Sequence, residues 1–155
     1  MADVHDTKTR QKNMSAIRNR DTKPERIVAD LLLSMDIEFE KQRSDIPGKP
    51  DLFLPTYNTA IFVHGCFWHG HDCHLFKVPQ TRTEFWMNKI NSNRTRDIDV
   101  RRIIQKTDIK QLVIWECSLK GSKKLSIEAL QERIEEFLLS DSDFAEIRDT
   151  GFDVH

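Results

Sequence analysis

Between His64 and His74 stand four of the chain's six histidines and two of its three cysteines, and this crowding constrains the fold more than any other feature. It follows directly on Ala60, Ile61, Phe62 and Val63, a continuous apolar run of the kind that forms a strand buried on both faces. Packing alone rarely gathers so many imidazoles and thiols. Cys66, His71 and Cys73 supply three of the four nitrogen and sulfur ligands that a tetrahedral structural zinc requires, and Cys117, at the end of a later apolar run, would be the fourth. The intervals are irregular and match no simple finger pattern. The competing reading makes Cys117 a small buried hydrophobe beside a loop that merely carries the others. An odd number of cysteines in a chain that reads as intracellular argues against disulfides.

The rest of the chain reads as alternating helices and strands. Up to Asp21 there is no apolar periodicity, only Met14 and Ile17 among lysines and arginines, so residues 1–21 are expected to be a basic arm that orders on binding. Thr22 and Glu25 stand at capping-box spacing, Pro24 suits a first helical turn, and Ile27, Val28, Leu31, Leu32 and Met35 recur at helical intervals. Ile37 and Phe39 alternate with acids as in a half-buried strand. Pro47, Gly48 and Pro50 then mark a turn before the apolar run Leu52–Leu54. A second capping box, Thr81 and Glu84, predicts a long helix from about Arg82 to Gln105. Leu112 to Trp115 form the last expected strand, and Ile127, Leu130, Ile134, Phe137 and Leu138 a final helix. Apolar strands between amphipathic helices predict a three-layer α/β domain around a mixed sheet, spanning 22–155.

A net charge of −1 hides strong segregation. Residues 7–26 carry seven Lys/Arg against two acids, residues 77–110 nine against four, and residues 126–155 only two against nine acids. Basic segments of this kind can neutralise phosphates, although a solvated surface would look the same. No stretch is apolar enough to cross a bilayer and no secretory signal opens the chain, so a cytoplasmic location without membrane contact is expected.

A second constellation suits phosphodiester hydrolysis, which needs a hard oxygen ligand for Mg²⁺, a base to activate water and protons or positive charge near the leaving oxygen. Asp51 at the start of one strand and His64 at the end of the next could meet across a hairpin. His69 in the following loop could act as base if Asp97 on the long helix fixes its tautomer. Taken singly, Asp51 also reads as a turn residue, Glu25 as a helix cap and Asp97 as an exposed helix acid. Phe67, Trp68 and Trp86 are large aromatics beside these groups. They suit a wedge between base steps, against the alternative that they cap the core beside the zinc.

The run Val63-His64-Gly65-Cys66-Phe67-Trp68-His69, with His71 and Cys73 after it, resembles the very short patch repair (Vsr) endonucleases. The resemblance extends through Asp3 to Met14, Arg20-Asp21-Thr22, Glu25, Pro47 to Asp51, Leu75 to Pro79, Thr81 to Trp86, Asp97 and Trp115-Glu116-Cys117. It implies a restriction-endonuclease-like fold with a structural zinc, and an enzyme of DNA repair that recognises a T:G mispair and nicks 5′ of the mispaired thymine. By position, Asp51 and the Val63 main-chain oxygen would hold Mg²⁺, His69 would be the base oriented by Asp97, and His64 and Glu25 would act near the leaving group. Cys66, His71, Cys73 and Cys117 would hold zinc. Phe67, Trp68 and Trp86 would intercalate, with Met14 and Ile17 pressing from the opposite groove, while Lys89, Asn93 and Lys120 would contact DNA. Gly70 and Asp72 depart from the family's pattern. The expected partner is double-stranded DNA with a T:G mismatch, with a MutL-type mismatch-repair protein as a candidate second partner and a monomer as the expected state. The alternatives are a non-catalytic zinc-stabilised DNA-binding module and a restriction-type nuclease on matched DNA.

Overall fold

In the computed structural model, which describes residues 22–150, the chain starts with helix α1 (Lys23–Ser34). Thr22 is its N-cap and accepts the Glu25 N–H on Oγ1, while its own hydroxyl donates to Glu25 Oε2 at 3.1 Å. The first expected capping pair is thus formed. Strands β1 (Glu40–Lys41), β2 (Leu52–Leu54) and β3 (Thr59–His64) follow, then helix α2 (Thr83–Gln105), strand β4 (Lys110–Trp115), helix α3 (Ile127–Leu139) and strand β5 (Phe144–Ile147).

The five strands form one mixed sheet in the order β1-β2-β3-β4-β5, antiparallel from β1 to β3 and parallel from β3 to β5. Period-two alternation sends each strand's side chains to opposite faces. Leu52, Leu54, Ile61, Leu112 and Ile114 meet α1 and α3 through Val28, Leu32, Leu130 and Ile134 on one face. Phe53, Ala60, Phe62, Val113 and Trp115 form the other core, closed by Ile104 and Val100 of α2. These are three layers, with β3 and β4 covered on both sides, as their apolar runs require.

Three expectations about elements are corrected. The alternating segment at Ile37 and Phe39 does not pair as a strand; both side chains pack partly buried against the core, and pairing begins only at Glu40. Thr81 does not cap α2: the N-cap is Arg82 in the left-handed region at φ 51°, with no side-chain cap bond, and its guanidinium lies 4.2 Å over the Phe85 ring. The run ending at Trp115 is not the last strand: beyond the expected final helix the acidic C-terminal stretch supplies β5, whose Gln111↔Phe144 to Ile114↔Ile147 register extends the sheet. No described helix is long and apolar enough to cross a membrane. Residues 1–21, including Met14 and Ile17, lie outside the described residues.

Candidate active site and metal centre

The sheet register explains how residues far apart in sequence converge. His64 pairs with Trp115 at the carboxyl ends of two adjacent parallel strands, and the chain emerges from each strand to place Cys66 and Cys117 two residues further on. Open α/β sheets build their sites in this position, outside the carboxyl ends of parallel strands. The loop after β3 is folded by its own backbone, with His71 N–H bonded to the Cys66 carbonyl and Cys73 N–H to the His71 carbonyl, both at 2.9 Å. Glu116 Oε1 accepts the Cys66 N–H at 3.2 Å and so ties the two loops together.

Cys66, His71, Cys73 and Cys117 bring one ligand atom each to within 4.8 Å of one another. His71 Nδ1 lies 3.6 Å from both Cys66 Sγ and Cys117 Sγ. Hydrogen bonding by the Cys66 thiol and by His71 lowers the Cys117 pKa to about 5, while the same thiol contact and burial push Cys66 up. Of the three thiols, only Cys117 is shifted towards the thiolate, the form that ligates metal; burial raises Cys73 as it does Cys66. Gly70 has a reason beyond chemistry: its φ is +58°, and a Cβ there would meet Ile90 at 2.8 Å and Arg94 at 3.0 Å on α2. Asp72 Oδ1 accepts from the Arg148 guanidinium at 3.0 Å.

Beside this centre opens a cleft of about 900 Å³, lined by Glu25, Asp51, His64, His69, Asp97 and Trp68 among others. Asp51 stands one residue before β2, and its Oδ2 accepts the Val63 N–H at 2.7 Å. The hairpin thus delivers Asp51 to the residue before His64. Burial, and then the charge of Glu25, push its carboxyl up to about 7. His69 Nδ1 lies 2.5 Å from Asp97 Oδ2, the α2 carboxylate expected to orient it. The His69 ring stacks on His64 with centroids 3.9 Å apart and planes 7° from parallel. His64 is held neutral, its pKa lowered to about 3 by burial first and the His69 charge second, and its buried Nδ1 has no hydrogen-bond partner. His64, His69 and Asp97 form a second ligand-capable group; Asp51 belongs to neither group but faces the same cleft.

Phe67, Trp68 and Trp86 form an edge-to-face cluster with centroid separations of 5.1 to 6.2 Å. Trp68 is 41% exposed, so the cluster reaches solvent instead of closing the core. Lys89 and Asn93 line the cleft from α2, but the Asn93 amide is engaged, donating to the Trp68 carbonyl at 2.9 Å. Lys120 is held at the cleft's edge by Glu116 Oε2 at 3.2 Å. Sequence reasoning gave no role to Glu116, Trp115, Glu146 or Asp149. Only the Trp115-Glu116-Cys117 run drew notice, because these roles follow from register and not from spacing.

The family model described as DNA mismatch endonuclease Vsr matches residues 2–75. DNA mismatch endonuclease Vsr of Escherichia coli (strain K12) is 49% identical over 152 residues, 97% of each chain. Type II nicking enzyme V.NmeAIP of Neisseria meningitidis is 38% identical across 88% of this chain and 96% of its own. Type II nicking enzyme V.XorIIP of Xanthomonas oryzae pv. oryzae is 35% identical across 89% and 98%. Enzymes of this kind leave no place for the non-catalytic DNA-binding module. With its Asp51, His69 and Asp97 gathered at one cleft, the chain is an endodeoxyribonuclease and belongs to the DNA mismatch endonuclease Vsr family.

Proposed function

We propose that this endonuclease recognises T:G mispairs in duplex DNA and nicks the strand 5′ of the mispaired thymine by Mg²⁺-dependent hydrolysis, initiating very short patch repair. The observation that carries the reading is the carboxylate of Asp51, fixed by the Val63 N–H and raised by burial and by Glu25 in a cleft that also holds the His69–Asp97 pair. Two acids facing one another out of water favour a hard divalent cation between oxygen donors. A strand residue's N–H and C=O face the same neighbour, which supports the Val63 carbonyl as a second ligand beside Asp51. Bound Mg²⁺ supplies Lewis-acid polarisation of the scissile phosphate and lowers the pKa of water.

The chain's own groups supply the proton chemistry. Asp97 accepts from His69 Nδ1–H, which leaves Nε2 as the basic nitrogen that takes a proton from the attacking water. Asp97 then stabilises the imidazolium that results. His64 and Glu25 act near the leaving oxygen, His64 as a neutral hydrogen-bond donor and Glu25 through bound water. Phe67, Trp68 and Trp86 wedge into the duplex, where a mispair lowers the cost of unstacking. Met14 and Ile17 press from the opposite groove, Lys89 and Lys120 grip the backbone, and Asn93 holds the wedge loop in place.

The Cys/His centre is assigned as structural zinc. For Zn–S near 2.3 Å and Zn–N near 2.0–2.1 Å, a tetrahedral ion separates N from S by about 3.6 Å, which is the spacing found twice around His71. Four protein ligands close the site, so zinc there braces the loop and touches no substrate. The fold is taken as the restriction-endonuclease type, one domain over 22–155 preceded by the 1–21 arm. The enzyme is taken as a cytoplasmic monomer that a MutL-type protein assists.

Replacing Asp51 by Ala should lower nicking of a T:G duplex by about 10²–10³-fold or more, the scale on which hydrolytic sites lose one stabilising group, while binding in a gel-shift assay stays within a few-fold. Undiminished cutting by Asp51→Ala would remove Asp51 from the chemistry. Linear instead of nicked product from a plasmid would favour a restriction-type double-strand cut.

A further inference from the structure

The aromatic ring of Trp115 stands between the two centres. Its indole, 8% exposed at the carboxyl end of β4, stacks on the His71 ring with centroids 4.0 Å apart and planes 6° from parallel. Its edge contacts reach His64 at 5.2 Å and His69 at 6.1 Å. Indole Nε1–H donates to Glu146 Oε1 on β5 at 2.8 Å. Thus one rigid ring is fixed by a metal-ligand imidazole on its face and a carboxylate on its N–H, and it presses on the catalytic imidazoles. Interiors this closely packed pass on small displacements instead of absorbing them.

We infer that Trp115, anchored by Glu146, is a positioning residue that sets the orientation of the stacked His64 and His69 rings and couples it to the integrity of the Cys66/His71/Cys73/Cys117 centre. The inference rests on the proposed roles of His69 and of zinc. It explains why a closed metal site that cannot touch substrate lies against the catalytic loop. When His71 is held by its metal, the indole has one place to lie, and the His64–His69 stack meets a fixed wall. Loss of the ring leaves the His64–His69 stack without that wall, free to tilt about the His69–Asp97 bond. Small misplacements of a base lower the rate of the chemical step more than they alter binding.

The test uses zinc-loaded, full-length protein in three variants, Trp115→Leu, Trp115→Phe and Glu146→Ala, with His69→Ala as control. Single-turnover nicking, duplex affinity and zinc per chain are measured on each. Trp115→Leu and Glu146→Ala should nick about tenfold or more slowly, with affinity within about twofold and one zinc retained, and Trp115→Phe should recover most of the Leu variant's loss. Parent-like nicking by Glu146→Ala, or a rate that falls only in step with zinc content, overturns the coupling. His69→Ala nicking at the parent rate would instead overturn the catalytic reading of His69, so the two failures are separable. A second readout needs no activity: the indole N–H resonances of Trp68, Trp86 and Trp115 are assigned by single Phe replacements and followed as a chelator removes zinc. The Trp115 signal should shift as zinc leaves, whatever the Trp68 signal does in the loop that zinc braces. An unmoved Trp115 signal contradicts the inference.

Discussion

At the level of single residues, the site is held at a cost in stability. In the folded, metal-free protein the Asp51 carboxyl titrates at about 7 against an ordinary value of 3.8. As pH rises, the unfolded chain gives up this proton first and the folded chain keeps it until near neutrality. Metal-free protein therefore loses stability from about pH 4 to about pH 7 and no further above that, by at most about 4 kcal/mol for a shift of this size. Asp51→Asn removes the titration. Thermal unfolding in EDTA should find the Asn variant more stable than the parent at pH 8, with the gap shrinking towards zero near pH 4. An equal gap at both pH values would show that Asp51 is not the group responsible. The same titration means that cation binding below pH 7 must expel a proton. Asp51, His69 and Asp97 were legible in the sequence, but only as a set: each alone reads as a turn residue, a loop histidine or a surface acid. The stacking of His64 on His69 was not legible, because ring orientation is fixed by tertiary packing and leaves no mark on spacing.

Among the elements, the long apolar runs of β3 and β4 and the periodic faces of α1 and α3 could be read directly, since burial on both faces or on one stripe writes itself into composition. Strand β5 could not. At the sheet edge Phe144 and Ala145 are partly buried, Glu146 is exposed and Ile147 is buried, and an edge strand that is half in water shows no run and no clean alternation. Yet β5 and the turn after it brace the Cys/His loop: Asp149, 3% exposed, meets His74 at 3.3 Å and directs its backbone N–H at Cys117, while Arg148 grips Asp72. The start of α2 misled for a different reason, as Thr81 lies one residue too early and the left-handed Arg82 takes the cap position. At the far end of the molecule Lys110 closes α3, its Nζ donating to the carbonyls of Phe137 and Ser140 at 2.8 and 2.9 Å. A cation on the orphan carbonyls of a helix end offsets the helix dipole. Lys110→Ala should therefore cost about 1–3 kcal/mol in denaturant unfolding, with nicking at permissive temperature unchanged. A loss of activity in a variant of parental stability would place Lys110 in the site instead.

Over the whole molecule, one sheet separates two tasks. Its α1/α3 face carries most of the larger core and the acidic α3, while the carboxyl ends of β3 and β4, beside α2, carry the cleft, the aromatic cluster and the Cys/His centre. The chain's near-zero net charge is the sum of these unlike regions, so the average said little and the segregation said a good deal. On the proposed reading, the groups of the cleft and the aromatics beside it act on a duplex weakened at one position and cut on one strand. The most direct measurement is single-turnover cleavage, in Mg²⁺, of two otherwise identical duplexes with each strand labelled separately, one containing T:G and the other T:A. The account predicts one nick, 5′ of the thymine in the T strand of the mispaired duplex, with an intact G strand and little cutting of the T:A duplex. Equal cutting of both duplexes, or scission of both strands, would contradict it.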